Sequence, residues 1–150
     1  MDKVQIPERM NLTKVAPKVF KAVVALDTAA REGLDPVLLE LVQIRASQLN
    51  HCAYCIDYHT TDARKAGETE DRIYQLSAWH ESSLYTAKER AALELTESVT
   101  LLPQGVSDEV YDQAAKHFEE QELAQLIALI FTVNTWNRMN VTTRKTPGTQ

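Results

Sequence analysis

Helical spacing of apolar residues runs along nearly the whole chain and constrains its fold more than any other feature. Between residues 16 and 31, for example, Val19, Phe20, Val23 and Val24 recur at intervals that put them on one face of a helix. No stretch alternates apolar and polar residues between turn signals, as a strand would. Only four glycines and five prolines interrupt the 150 residues. We therefore predict an all-α, single-domain bundle of about six to eight helices over residues 1–150.

Capping residues mark where these helices begin and end. Asp35 before Pro36 predicts a helix start, Asn50 is a candidate N-cap for the helix that carries the cysteines, and Thr86 with Glu89 predicts a capping box. The predicted helices cover about 16–31, 36–48, 50–66, 69–77, 86–101, 107–118 and 120–142. The polar tail from about residue 144 is expected to be mobile.

Charge and hydropathy exclude several classes of protein. The net charge is −5 without a Lys/Arg cluster, so we expect neither a nucleic-acid partner nor a membrane partner. The longest apolar run, residues 126–131, is too short to span a bilayer, and the N-terminus lacks the apolar run of a signal peptide. We therefore predict a cytoplasmic location. In that reducing compartment two cysteines favour catalysis, redox sensing or metal binding over a structural bridge.

The last predicted helix is informative for assembly. From Leu123 to Val133 it is apolar on nearly every face, interrupted only by Gln125 and Thr132. A helix that is exposed on one side would carry a polar stripe. Two explanations stay open here: the helix is wrapped by its own chain, or one face is buried against another subunit.

The chemistry of the chain concentrates in a short column of three side chains. Cys52, Cys55 and His59 are three and four residues apart, so they share one face of a helix. Cys52 is predicted in the first turn, where unpaired N–H groups and the helix dipole favour a thiolate. A relaxed disulfide needs Cβ atoms closer than helical neighbours usually are. A bridge between these cysteines should therefore be easily reduced, which favours a cycling disulfide over a structural one.

The sequence around the column excludes two other uses of these residues and leaves two open. Attachment of a c-type haem would need a histidine directly after the second cysteine, where Ile56 stands. A thioredoxin-type domain would put the pair between a strand and a helix, and no such pattern exists. Two cysteines that only pack between helices would do no chemistry. A zinc site would need a fourth ligand, for which the candidates are His51, His80 and Glu40.

The segment around the cysteines resembles the alkylhydroperoxidase D-like proteins of the carboxymuconolactone decarboxylase superfamily. Glu40, followed after residues 41–51 by Cys52-x-x-Cys55-x-x-x-His59, is similar to the signature of that family, and so is the later segment 134–138. The resemblance covers nearly the whole chain. It implies an all-helical subunit of that type, assembly into trimers or hexamers, and peroxidase activity through the cysteine pair.

The resemblance also implies roles for the site residues. Cys55 would be the peroxide-attacking thiol and Cys52 the resolving one, with Glu40 and His59 as the proton relay. In one departure, the best-known members carry a histidine between the cysteines, where this chain has Tyr54. Electrostatics at the helix terminus favours Cys52 as the more acidic thiol. We nevertheless favour Cys55 as the attacking thiol, because it lies within a turn of His59 and a nearby base also activates a thiol.

The sequence thus predicts a thiol-dependent peroxidase whose substrate is a hydroperoxide. It carries no nucleotide-binding glycine motif, so an external dithiol or disulfide-reductase partner would supply the electrons, and we predict no cofactor and no metal ion. The alternative is a redox-sensing or thiol–disulfide exchange protein without efficient peroxidase turnover. We further predict contacts to a neighbouring subunit from Asn134, Asn137 and Arg138.

Overall fold

The computed structural model describes residues 1–148 and is helical, without a strand, over that range. Its α-helices are α1 (Leu12–Val15), α2 (Pro17–Ala30), α3 (Pro36–Leu49), α4 (Ala53–Lys65), α5 (Glu70–Gln75), α6 (Ala87–Thr100), α7 (Asp108–His117) and α8 (Glu120–Thr143). Short 3₁₀ helices cover Leu76–Glu81 and Leu102–Gln104. The prediction of an all-α bundle is confirmed. The final residues of the tail for which we predict mobility, 149 and 150, lie outside the described part of the chain.

Side-chain caps begin most of the helices where the sequence predicts them. The Asp35 carboxylate accepts a hydrogen bond from the N–H of Val37 at 3.2 Å. Thr86 and Glu89 form the reciprocal capping box of α6, with distances of 2.8 and 3.1 Å. The hydroxyls of Thr69 and Ser107 cap α5 and α7 by accepting from the N–H groups of Arg72 and Val110.

Helix α3 is the centre of the bundle and packs against α4, α6 and α8. It is buried on more than one side, because its apolar residues belong to two separate clusters. Leu39 and Val42 pack in a cluster with residues of α6, α7 and α8. Leu41 and Ile44 pack in the other, with residues of α4, α6 and the 3₁₀ segment after α5. Any polar side chain on the remaining face of α3 is therefore held by a rigid, buried helix.

Helix α8 is covered mainly by its own chain. Leu126, Leu129, Ile130 and Val133 are all fully buried within the single subunit. Most of the apolar surface of α8 is therefore buried by its own chain, although Phe131 is 45% exposed. The trimer or hexamer that the resemblance implies stays a prediction. Over the described residues, no helix is both long enough and apolar enough to cross a membrane.

A buried ionic cluster ties α5 to α6. The Arg72 guanidinium lies 2.7 Å from a carboxylate oxygen of Glu68 and 2.7 Å from one of Glu89, and it covers the ring of Tyr85 at 5.0 Å. Hydrogen bonds to both carboxylates raise the pKa of Arg72. Burial by itself would raise the pKa of Glu89, but hydrogen bonds from Arg72 and Thr86 outweigh it and lower that pKa below 4.5.

Arg72→Met should lower the free energy of unfolding by about 2 kcal/mol at neutral pH, because Glu68 then stays buried without a cation. A fully buried pair would lose more, but 18% of the Arg72 side chain is exposed. The lowered pKa of Glu89 adds stability above its unfolded pKa, and acidification through the folded pKa removes it, so the variant should lose less stability on acidification than the wild type does.

Urea unfolding at several pH values measures both effects. The matched control is Lys65→Met, which removes only an exposed pair with Asp62 and should change the free energy of unfolding by about 0.5 kcal/mol or less. Equal unfolding midpoints for the two variants would contradict the stabilising role of the cluster.

Candidate redox-active site

The junction between α3 and α4 positions the cysteine pair. Asn50, predicted to cap α4, is instead the C-cap of α3, and Cys52 is the N-cap of α4 rather than a residue of its first turn. His51 between them has a φ of 56°, a left-handed conformation that turns the chain sharply. The Asn50 amide instead donates to Asn134 and Asn137 of α8, both at 2.9 Å.

The asparagines of α8 are used inside the subunit. Asn137 is fully buried and donates to the Ser47 hydroxyl at 3.0 Å, and Asn134 donates to the Thr100 hydroxyl at 3.0 Å. The prediction that these two residues contact a neighbouring subunit is therefore wrong, because their face of α8 packs on α3 and α6. For Arg138, which is exposed, the contact stays a prediction.

Cys52 and Cys55 are joined in a disulfide, with Cα atoms 5.3 Å apart. Both residues are buried, at 1% and 3% exposure. The N–H of Cys55 donates to the Sγ atom of Cys52 at 3.3 Å, so the cysteine itself serves as the helix cap. Over residues 1–148, no three His, Cys, Asp or Glu side chains are grouped as metal ligands would be.

A buried carboxylate from α3 meets the histidine of the column. Glu40 Oε2 lies 3.0 Å from His59 Nδ1, and each residue is only 5% exposed. When Nδ1–H donates to this carboxylate, Nε2 is left as the ring's acceptor. The carboxylate thus fixes both the orientation and the tautomer of an imidazole that lies one turn after Cys55.

A second layer of polar side chains holds Glu40 in position. Arg31 Nη1 lies 3.8 Å from its Oε1 atom, and Gln43 donates to its Oε2 atom at 3.3 Å. Arg31 also donates to Gln43 at 2.9 Å and pairs with Asp27 at 2.7 Å, while Trp136 Nε1 donates to Asp27 at 3.1 Å. Sequence reasoning missed this layer, because its members come from α2, α3 and α8 and share no local spacing.

Cys55 and His59 open onto a cavity of about 550 Å³, whereas Cys52 is not part of its lining. The N-terminal segment 8–14, α2, and the end of α8 complete the walls. Much of the lining is aromatic: Phe20 and Trp136 pack edge to face at 5.8 Å, and Tyr54 and Tyr58 stack at 6.2 Å. Burial, followed by the negative charge of Asp62, raises the pKa of Tyr58 above 10.0, so its phenol stays protonated at neutral pH.

Asn140 is a site residue that sequence reasoning missed. Its Nδ2 atom lies 3.5 Å from Cys55 Sγ, within hydrogen-bond distance of a sulfur. A signal does exist in the sequence, since Asn134, Asn137 and Asn140 recur every three residues and so share a face of α8. That face follows the α3–α4 junction from Asn50 to Cys55.

The segment that carries these site residues matches a known protein family. Residues 17–98, which contain Glu40, both cysteines and His59, match the model of the carboxymuconolactone decarboxylase family. The chain belongs to that family. Its resemblance to the alkylhydroperoxidase D-like members is supported by the solved structures that share its fold.

Three relatives show how far the likeness extends. YdfG of Bacillus subtilis, an uncharacterised protein, is 41% identical over 136 residues, which are 89% of this chain and 92% of YdfG. A protein of unknown function from Agrobacterium tumefaciens, suggested to be the antioxidant defence protein AhpD, is 35% identical with a TM-score of 0.92, covering 96% of this chain and all of that one. The debrominase Bmp8 is 20% identical with a TM-score of 0.79, covering 90% of this chain and 74% of its own, and shows the fold alone.

The Asn140 contact predicts the acidity of the Cys55 thiol. In a Cys52→Ser background, Asn140→Ala should raise the pKa of Cys55 by about half a unit to one unit, because the thiolate loses a donor. Asn140→Asp should raise it further, because a carboxylate then faces the sulfur. Ultraviolet absorbance of the thiolate during a pH titration measures the pKa. The control Gln113→Glu, at an exposed position of α7, should leave it unchanged. A Cys55 pKa that is the same in all four proteins would contradict a role for Asn140.

Proposed function

We propose that this protein is a thiol-dependent peroxidase that reduces hydroperoxides at Cys55 and is regenerated by an external dithiol. One observation carries the proposal. The disulfide-bonded pair of Cys52 and Cys55 meets, through Cys55 alone, a substrate-sized cavity that His59 also lines, and His59 is paired with the buried Glu40. Membership of the carboxymuconolactone decarboxylase family and the likeness to AhpD-type proteins support the same chemistry.

The first step activates the thiol. His59, oriented by Glu40, accepts the proton of the Cys55 thiol directly or through a water molecule. The imidazolium that forms is stabilised by the carboxylate 3.0 Å away. The Asn140 amide donates to the sulfur and so favours the thiolate. The partial positive charge of the α4 N-terminus acts in the same direction.

The second step reduces the peroxide. The Cys55 thiolate attacks the terminal oxygen of the hydroperoxide, a sulfur–oxygen bond forms, and the oxygen–oxygen bond breaks. The leaving alkoxide takes the proton that His59 holds and departs as an alcohol, while Cys55 becomes a sulfenic acid. Two electrons have passed from the sulfur to the peroxide.

The third step resolves the sulfenic acid and regenerates the enzyme. Cys52 attacks the Cys55 sulfur, the disulfide forms, and hydroxide leaves as water with the Cys52 proton. An external dithiol then reduces the disulfide in two exchanges: the first forms a mixed disulfide, and in the second the other thiol of the reductant closes its own disulfide and releases the remaining cysteine. We propose that the reductant's first thiolate attacks Cys55, the sulfur that faces the cavity, so that Cys52 leaves. The N–H of Cys55, 3.3 Å from the Cys52 sulfur, would stabilise this leaving thiolate.

Peroxide consumption by the reduced protein tests the proposal, with dithiothreitol as the reductant. Cys55→Ser should abolish turnover. Cys52→Ser, reduced and then freed of dithiothreitol, should consume about one equivalent of peroxide and stop at the sulfenic acid, whereas the wild type treated in the same way should stop at the disulfide. Glu40→Gln should lower kcat/KM about 100-fold, because the histidine loses its orienting carboxylate. Its matched control, Glu94→Gln, removes an exposed carboxylate of α6 and should have wild-type activity.

Circular dichroism of each variant checks that it is folded. If the wild-type chain forms its disulfide but consumes peroxide no faster than free dithiothreitol does, the peroxidase proposal is wrong. The redox-sensing or thiol-exchange alternative would then account for the cysteine pair.

A further inference from the structure

The segment that follows α8 turns back over the cysteine helix. Arg144 has a φ of 59°, and the N–H of Lys145 donates to the carbonyl of Asn140 at 2.9 Å. This turn brings the Lys145 ammonium to 4.4 Å from the centre of the Tyr54 ring. Tyr54 directly precedes Cys55 in α4. Lys145, just after α8, contacts Tyr54, and Asn140, in the last turn of α8, contacts Cys55.

The Lys145 ammonium has no acidic partner among the residues that the structure describes. No carboxylate of residues 1–148 lies within 4 Å of its ammonium, and no oxygen of that range accepts a hydrogen bond from it. The acidic residues of the cavity lining are Glu8, which is exposed, and Asp27, whose oxygens are taken by Arg31 and Trp136. Among residues 1–148, the ring of Tyr54 is therefore the only partner of this partly buried ammonium.

A second lysine lies in the same lining. Lys14 of α1 is exposed, and its ammonium also has no carboxylate within 4 Å among the described residues. Arg31 is the other cation of the lining, but its guanidinium is occupied by Asp27, Glu40 and Gln43. The cavity thus combines uncommitted positive charge with the aromatic wall of Phe20, Trp136, Tyr54 and Tyr58.

We propose that Lys145 is an anion subsite of the Cys55 cavity and that the substrates are amphipathic hydroperoxides with a carboxylate group. The apolar body lies against the aromatic wall, the carboxylate binds Lys145 with support from Lys14, and the hydroperoxide end reaches Cys55. The charge-assisted hydrogen bond supplies the carboxylate partner that the ammonium lacks among residues 1–148. As a statement about substrates this rests on the proposed peroxidase function, whereas the anion subsite itself does not.

Binding of unreactive product analogues tests the subsite without any turnover. Cumyl alcohol and para-carboxycumyl alcohol have the same apolar body and differ in one carboxylate. Isothermal titration of the disulfide form should give a Kd about fivefold lower for the carboxylate in the wild-type protein. Lys145→Met should bring the ratio of the two Kd values close to one, and Lys145→Arg should retain the preference. The matched control, Lys18→Met, removes an exposed lysine of α2 outside the cavity lining and should keep the wild-type ratio.

The corresponding hydroperoxides then connect binding to turnover. The ratio of kcat/KM for the carboxylated over the neutral cumene hydroperoxide should follow the ratio of affinities across the same four proteins. Equal affinities in the wild type, or a preference that survives Lys145→Met, would overturn the anion subsite. If neither hydroperoxide is consumed while the Lys145-dependent preference in binding persists, the subsite stands and the peroxidase function fails.

Discussion

The contact between Glu40 and His59 is the interaction on which the rest of the site depends. A carboxylate at 5% exposure is costly to bury unless it is paired and hydrogen-bonded. The partners come from three elements: His59 from α4, Gln43 from α3 itself, and Arg31 from the C-cap of α2. Because α3 is enclosed by apolar clusters on its other sides, the carboxylate cannot turn away from the histidine. The buried carboxylate thereby fixes the imidazole of His59 one turn after Cys55.

Local sequence signals predict most of the helices. The features that they do not predict depend on tertiary contacts. Caps such as Thr86 act within four residues, so the helix starts they mark are readable from sequence. Asn50 is an exception, because an asparagine can cap either end of a helix. Here it is the C-cap of α3, and its side chain is held there by hydrogen bonds to α8. Arg31 and Lys145 reach the site from distant elements, and only packing reveals them. Asn140 has a signal in the spacing of the asparagines of α8, but only packing shows that it meets Cys55.

The two cysteines differ in their access to the cavity. Cys55 faces the cavity, whereas Cys52 lies at the helix cap behind it. A more acidic thiol at Cys52 would therefore not be enough to make it the attacking cysteine, since a nucleophile must also reach its substrate. Tyr54 stands where the best-known members of the family carry a histidine, and in this chain its ring holds the Lys145 ammonium.

The central claim, that Cys55 is the thiol that hydroperoxide oxidises, is tested most directly by trapping its product. Reduced Cys52→Ser protein is mixed with one equivalent of cumene hydroperoxide, quenched with dimedone at successive times, and mapped by peptide mass spectrometry. We predict a sulfenic acid adduct on Cys55, formed together with an equal amount of cumyl alcohol and much faster than with free cysteine. An adduct that forms no faster than on free cysteine, or faster on Cys52 in the matching Cys55→Ser protein, would contradict the account.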